Sequence, residues 1–322
     1  MKNAVLKKEE IEEITFRELS NMWLFGKGIK VKQSTYEKYQ YLLDKYILPY
    51  LGMVSTINLN TQLLNQKIEE LYFAGEKEHL SLSIMKSILY VVKSILKYSV
   101  CIGKMEPVEI TFELPSPSIE EMETLSKVQM IQLLNCISEE NNNNNLGILI
   151  SLCTGVRLGE VCSFQKKDID FQNKIIHVRT TVQRLKINGD TKTSLVVTAP
   201  KSRKSYRVIP ISEFLYKKLW DYHLDELEEN QYILSRKDMP YDSRTLQYAF
   251  QRVLEKCKIN HIKFHGLRHT FATNCARNGF DIKTLSEILG HSTVNFTMNW
   301  YVHSDLERKR EQMKLMDKVL GE

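Results

Sequence analysis

"KIIHVRTTVQ", residues 174–183, is dominated by β-branched side chains in a chain whose other periodicities are mostly helical. It decides the architecture, because an extended backbone must find hydrogen-bonding partners nearby. Reading outward, "SLVVTA" (194–199) repeats the pattern beyond Asn188-Gly189, a hairpin turn signal. "YRVIPI" (206–211) supplies a third strand after the basic turn "PKSRKS" (200–205). From Ser212 onward the spacing is helical again, with Ser243, Asp281 and Asp305 placed as N-caps and Gly279 and Gly290 just past helix ends. The predicted class is mainly α with a small antiparallel β-sheet inserted (α+β).

Upstream, the first third reads as helices with explicit start signals. Thr15 with Glu18 and Ser34 with Glu37 match capping boxes, and Asn60 caps a third helix running toward Gly75. A fourth, from Ser81 to Cys101, places Ile84, Ile88, Val91, Val92, Ile95 and Leu96 on one stripe. These four make a helical domain over 14–106, behind a tail of 1–13. The three prolines and acidic run of "EPVEITFELPSPSIEEMETLS" (106–126) predict an extended linker over 107–125. Ser126 with Gln129 opens a second domain, 126–304, followed by a charged helix over 305–322. Asn141 to Asn145 reads as a solvated loop between two helices.

At 322 residues the chain exceeds what one hydrophobic core usually serves, while 43% apolar and 26% charged residues are ordinary for a globular protein. No apolar run approaches the roughly 20 residues of a membrane helix, and the first residues lack a signal-peptide core, so a cytosolic location is expected. The six cysteines contain no CxxC pair and are expected as reduced thiols, most of them among apolar neighbours. The net charge of +6 says little, but eleven cations face three acids between Lys166 and Arg207. That excess, which includes Lys166, Lys167, Arg203, Lys204 and Arg207, is either a solvated face or the footprint of phosphate contact.

Five features bear on chemistry. In "CTGVRLGE" (153–160) an apolar helix ends at Thr154-Gly155, and Arg157 and Glu160 follow three apart, so that the carboxylate can fix a guanidinium aimed at an anion. Lys201 sits in the basic turn, where a hairpin tip can carry it away from the body of the domain; Lys204 or Lys192 could serve instead, and a solvated lysine is the plain alternative. "FHGLRHTFAT" (264–273) sets His265 and Arg268 on one helix face. His265 and His269 are spaced to share a zinc ion, but the metalloprotease pattern needs glutamate where Gly266 stands. His269 reads as a structural, hydrogen-bonding histidine. In "LGHSTVNFTMNWYVH" (289–303) Gly290 places His291 at a turn, ten residues before Tyr301. The carboxyl tail spaces Leu306, Met313, Met316 and Leu320 along a charged helix, able to fold back or dock on a second copy.

The ordered set of Arg157, a hairpin lysine, "HGLRH", "LGH" and Tyr301 resembles the tyrosine recombinase (phage integrase) family, most closely the integrases of phages and conjugative transposons. The resemblance implies a two-domain clamp: a helical core-binding domain plus a catalytic domain, closed around duplex DNA. It also implies phosphoryl transfer with no metal and no nucleotide cofactor. Tyr301 would attack a phosphodiester to give a 3′-phosphotyrosyl link, keeping the bond energy for rejoining. Arg157 and Arg268 would stabilise the phosphorane, Lys201 would protonate the leaving 5′ oxygen, His265 would manage the tyrosine proton and His291 would bond the phosphate, with Glu160 supporting. Implied partners are core recombination sites, a homotetramer on DNA with the tail packed in trans, and an accessory or directionality factor. With about a dozen residues before the first capped helix, no arm-binding domain is expected. An inactive DNA-binding protein of the same fold and a zinc hydrolase centred on His265 and His269 are the alternatives.

Overall fold

The computed structural model describes residues 13–74, 79–116, 123–186, 193–199, 205–291, 293–294, 310 and 313–314. The chain divides into two compact units between Glu120 and Glu121, and each has its own hydrophobic core.

In the first unit, α1 (Phe16–Gly28) starts at Thr15, whose hydroxyl accepts from the Glu18 amide while the Glu18 carboxylate accepts from the Thr15 amide at 2.8 Å. α2 (Gln33–Leu42) passes through a π-turn at Leu43–Ile47 into α3 (Leu48–Leu51). The expected Ser34 cap is not used. The helix begins two residues earlier with Lys32 at its N-cap, and Glu37 accepts instead from Gln33 Nε2 at 3.3 Å. Asn60 and Ser81 cap α4 (Thr61–Tyr72) and α5 (Leu82–Cys101). The four helical segments bury Phe16, Leu19, Trp23, Leu64, Ile68, Ile88, Val92 and Ile95 together, each worth about 1.5–3 kcal/mol of transfer free energy.

The expected linker is more than a spacer. Residues 107–116 are extended, yet Val108, Ile110, Phe112 and Leu114 pack half-buried on the first core. Asn65 on α4 pins this strap: its Oδ1 accepts from the amides of Thr111 and Phe112, both at 2.9 Å, and its Nδ2 donates to the Glu109 carbonyl at 3.1 Å. The cause is a period-two apolar pattern lying between the prolines.

The second unit opens with α6 (Lys127–Ser138), held by the reciprocal Ser126–Gln129 box. The asparagine run is not a loop. Asn142 caps α7 (Asn143–Thr154), and buried Asn145 donates to the carbonyls of Ile137 and Glu140. α7 is buried on nearly all sides, the mark of a central helix. After α8 (Leu158–Val161) come five strands: β1 (Ile169–Asp170), β2 (Ile175–Val178), β3 (Thr181–Lys186), β4 (Thr193–Thr198) and β5 (Arg207–Pro210). They form two antiparallel sheets, β1-β2-β5 and β3-β4. The run at 174–183 is therefore broken at Arg179 and Thr180, where Arg179 turns to Asp168 and the Thr180 hydroxyl lies 3.1 Å from that of Ser163.

Among the described residues the unit continues with α9 (Glu213–Trp220), α10 (Ser243–Lys256), α11 (His265–Arg277) and α12 (Ile282–Leu289). α10 is capped by Asp242 rather than Ser243, and α12 by Asp281. Two cysteines depart from expectation, because the helices that carry them pack side by side: Cys136 on α6 and Cys257 after α10 are paired as a disulfide with Cα atoms 6.3 Å apart. Cys101 is exposed rather than buried. Asn188-Gly189, Asp305, Leu306, Met316 and Leu320 lie outside the described residues, and Met313 is exposed. Among the described residues no helix is long and apolar enough to cross a membrane.

Candidate active site

The site begins at the end of α7. Gly155 turns the chain with φ +65°, and a Cβ there would stand 2.5 Å from Phe271 on α11 and 2.9 Å from Leu289 on α12. Only glycine permits both the turn and the approach. The next residues carry the chain into α8, whose N-cap is Arg157. Glu160 holds Arg157 twice, accepting from its amide and from its Nη1, both at 2.8 Å. Gly159 packs close below, where a Cβ would meet Thr181 Oγ1 at 2.5 Å and the Val182 carbonyl at 2.6 Å, so α8 lies directly on β3.

Three guanidiniums converge on the C-terminus of α12. Arg207 Nε donates to the Ile288 carbonyl at 2.5 Å, Arg268 Nη2 to that of Leu289 at 2.7 Å, and Arg157 Nη2 to that of Gly290 at 3.2 Å. The last carbonyls of a helix lack intrahelical partners and carry its negative dipole end, so cations are favoured there. Arg268, only 2% exposed, also donates to the Gly155 carbonyl at 2.7 Å. Gly290, with φ +66°, ends α12 and starts the turn to half-buried His291.

Glu160 is the counter-charge. Burial pushes its carboxyl up, but the two hydrogen bonds and the charge of Arg207, with those of Arg157, prevail and bring it down to about 2. The histidines move the same way for other reasons. Burial first, then His269, Arg268 and Arg157, lower His265 to about 4, although part of its side chain reaches solvent. Burial followed by Arg268, Arg157, Arg207 and His265 lowers His291 to about 3. Both imidazoles are neutral at pH 7. Three guanidiniums against one carboxylate leave a positive pocket suited to an anion with several oxygens.

Arg157, Glu160 and His265 line a cleft of about 530 Å³ with Thr181, Gln183 and Gln247. The last two are polar groups that nothing in their local sequence singles out. Of the predicted site residues, Arg157, Glu160, His265, Arg268 and His291 come together here, whereas Lys201, Arg203, Lys204 and Tyr301 lie outside the described residues. His269 stands edge-on to His265 with ring centroids 4.6 Å apart. Among the described residues no three metal-ligating side chains gather. Lys166 lies over the Phe171 ring and 3.8 Å from Glu229, and Lys167 bonds Asn230, so neither lines the cleft.

Arg207 departs from its expectation as a surface cation for DNA. Its side chain is 5% exposed and forms a two-armed ion pair with Glu160, 4% exposed, at 2.8 Å. Charge counting along the sequence cannot separate such a residue from its exposed neighbours.

Comparison with known proteins covers both units. The model of the phage integrase family matches residues 123–308, and that of the phage integrase N-terminal SAM-like domain matches residues 15–72. A tyrosine recombinase XerC-like protein of Caldanaerobacter subterraneus subsp. tengcongensis is 25% identical over 98% of this chain and 89% of its own length. The transposase from transposon Tn916 of Enterococcus faecalis is 27% identical over 53% of this chain and 45% of its own. Among solved structures, the Tn1549 transposon integrase in complex with a circular intermediate DNA has the same fold, with a TM-score of 0.75 and 21% identity over 94% of this chain and 99% of that one.

Proposed function

The chain belongs to the phage integrase family of tyrosine recombinases, and on that premise we propose that it cuts and rejoins duplex DNA at specific core sites, integrating or excising a mobile element. The observation that carries this reading is the convergence of Arg157, Arg268, His265 and His291, which are scattered over more than a hundred residues of sequence, around one positive cleft.

In the proposed reaction the Tyr301 phenolic oxygen attacks phosphorus and loses its proton to neutral His265. The P–O5′ bond breaks, Lys201 gives a proton to the departing 5′ oxygen, and the 3′ end stays joined to Tyr301. Arg157 and Arg268 face the non-bridging oxygens, where charge accumulates in the phosphorane, and neutral His291 donates one hydrogen bond. Rejoining reverses these steps with a new 5′-hydroxyl as attacker. Lys166, Lys167, Arg203 and Lys204 are proposed as phosphate contacts outside the cleft. Four protomers on two sites, with the tail packed in trans, would complete the assembly.

The test is a duplex built on a site footprinted at the ends of the element that flank the gene, nicked beside the scissile phosphate so that the cleaved strand is lost. The wild-type chain should accumulate a covalent protein–DNA adduct. Tyr301→Phe should bind the duplex equally well and form none. Strand cleavage retained by that variant would remove Tyr301 from its role, and absence of adduct with the wild type would remove the activity.

A further inference from the structure

Arg207 is the third guanidinium on the α12 C-terminus, and the way its donors are used sets it apart from Arg157. A guanidinium has five N–H groups. Four of those of Arg207 go to protein: Nε to the Ile288 carbonyl, Nη1 to Glu160 Oε1 at 3.0 Å and the Ser205 carbonyl at 3.3 Å, and Nη2 to Glu160 Oε2 at 2.8 Å. Its side chain is 5% exposed, against 37% for Arg157. Arg157 gives two N–H groups of its guanidinium to acceptors among the described residues, Glu160 and the Gly290 carbonyl, and lines the cleft. The two arginines meet at one carboxylate, both donating to Glu160 Oε1.

We infer that Arg207 is a positioning residue of the active site: by saturating Glu160 and holding the end of α12, it fixes Arg157 and the His291 turn in the geometry that receives the phosphate, without touching DNA itself. This rests on the recombinase reading above. The physical reason is competition for the carboxylate. Glu160 is buried and charged, so it must be fully paired, and a buried carboxylate that loses one partner draws harder on the other. Without Arg207 that other partner is Arg157, the side chain needed at the reacting phosphate. Its fork would be pulled toward Glu160, and a misplacement of about 1 Å can cost on the order of a hundredfold in rate. Arg207 also begins β5, the strand that follows the basic turn carrying Lys201, so one side chain ties that strand to α8 and α12.

The experiment uses the nicked duplex and the full chain. Arg207→Gln should bind with wild-type affinity and an unchanged slope of log affinity against log salt. Its single-turnover cleavage at saturating protein should fall ten- to a hundredfold. Arg207→Lys, which keeps the charge but not both arms, should lie between. The double variant Glu160→Gln with Arg207→Gln should be no slower than the slower single variant, because the two act as one unit. Wild-type cleavage by Arg207→Gln would overturn the assignment. So would a rate loss explained entirely by weaker binding, or a salt slope reduced by about one, the signature of a phosphate contact. If Arg207→Gln does not fold, Arg207→Lys decides: cleavage at the wild-type rate overturns the proposal, and a fall at unchanged affinity supports it. Failure of the wild-type chain itself to form adduct would count against the recombinase reading and not against the role of Arg207.

Discussion

Glu160 keeps its charge where burial alone would neutralise it, because Arg207 and Arg157 both donate to it. Breaking such a buried pair is costly, and Glu160→Ala should lower the unfolding free energy of the second unit by about 3 kcal/mol in denaturant melts. The pH dependence of stability separates into two windows. His265 and His291 titrate near 4 and 3 in the folded chain, and His269 is also lowered, against an ordinary value of 6.5. The unfolded chain therefore binds more protons below 6.5, and stability is lost as pH falls from 6.5 toward 4. Glu160, lowered from 4.5 to about 2, adds its own loss only below 4.5. Melting temperatures from pH 8 to 4 should fall in the upper window, and His291→Asn should flatten that fall. Gly155→Ala, at φ +65° with Phe271 2.5 Å away, should cost more than the roughly 1 kcal/mol of a positive-φ alanine alone. At this scale the sequence shows residue types and spacing, so the Arg157–Glu160 partnership was readable at three residues' separation. Glu160 with Arg207, 47 apart, was not, because nothing local distinguishes a buried arginine from those of a basic run.

The elements divide by how local their causes are. The caps at Thr15, Asn60, Ser126 and Asp281 each depend on a side chain reaching an amide three residues on, and all four stand where the sequence places them. Ser34 and Ser243 fail because the helix starts two residues early in the first case and one in the second. The asparagine run misled through composition: a polar tract suggests solvent, yet Asn142 and Asn145 spend their amides on backbone groups. β2 and β3 have the same β-branched character on both sides of the break, so only their partners, β5 and β4, reveal that they belong to different sheets. The strap at 107–116 belongs to this scale. Asn65→Ala removes three hydrogen bonds to it, each worth about 1 kcal/mol net. Hydrogen exchange should show the amides of Thr111 and Phe112 losing protection while α5 keeps its own.

For the whole molecule the two cores are separate, one closed by Asn65 and its strap, the other built on α7. Fragments 13–116 and 123–322 should each unfold cooperatively when made alone, whereas ending the first at 106 would uncover the apolar face that Val108, Ile110, Phe112 and Leu114 close. Calorimetry on the two lengths of the first fragment distinguishes these outcomes. The resemblance of the ordered motifs to the phage integrase family is what implied that Arg157, Arg268 and His291 belong together, since each sits at a turn or helix start whose local signature says nothing of the others. How they meet was invisible, because the common point is backbone. The groups that hold the three guanidiniums are the carbonyls of Ile288, Leu289 and Gly290, and a carbonyl survives any exchange of side chain. Drift along the outer face of α12 can thus proceed without disturbing the arginines, while a change that moves the stop at Gly290 by a single residue would rotate every acceptor by about 100° at once.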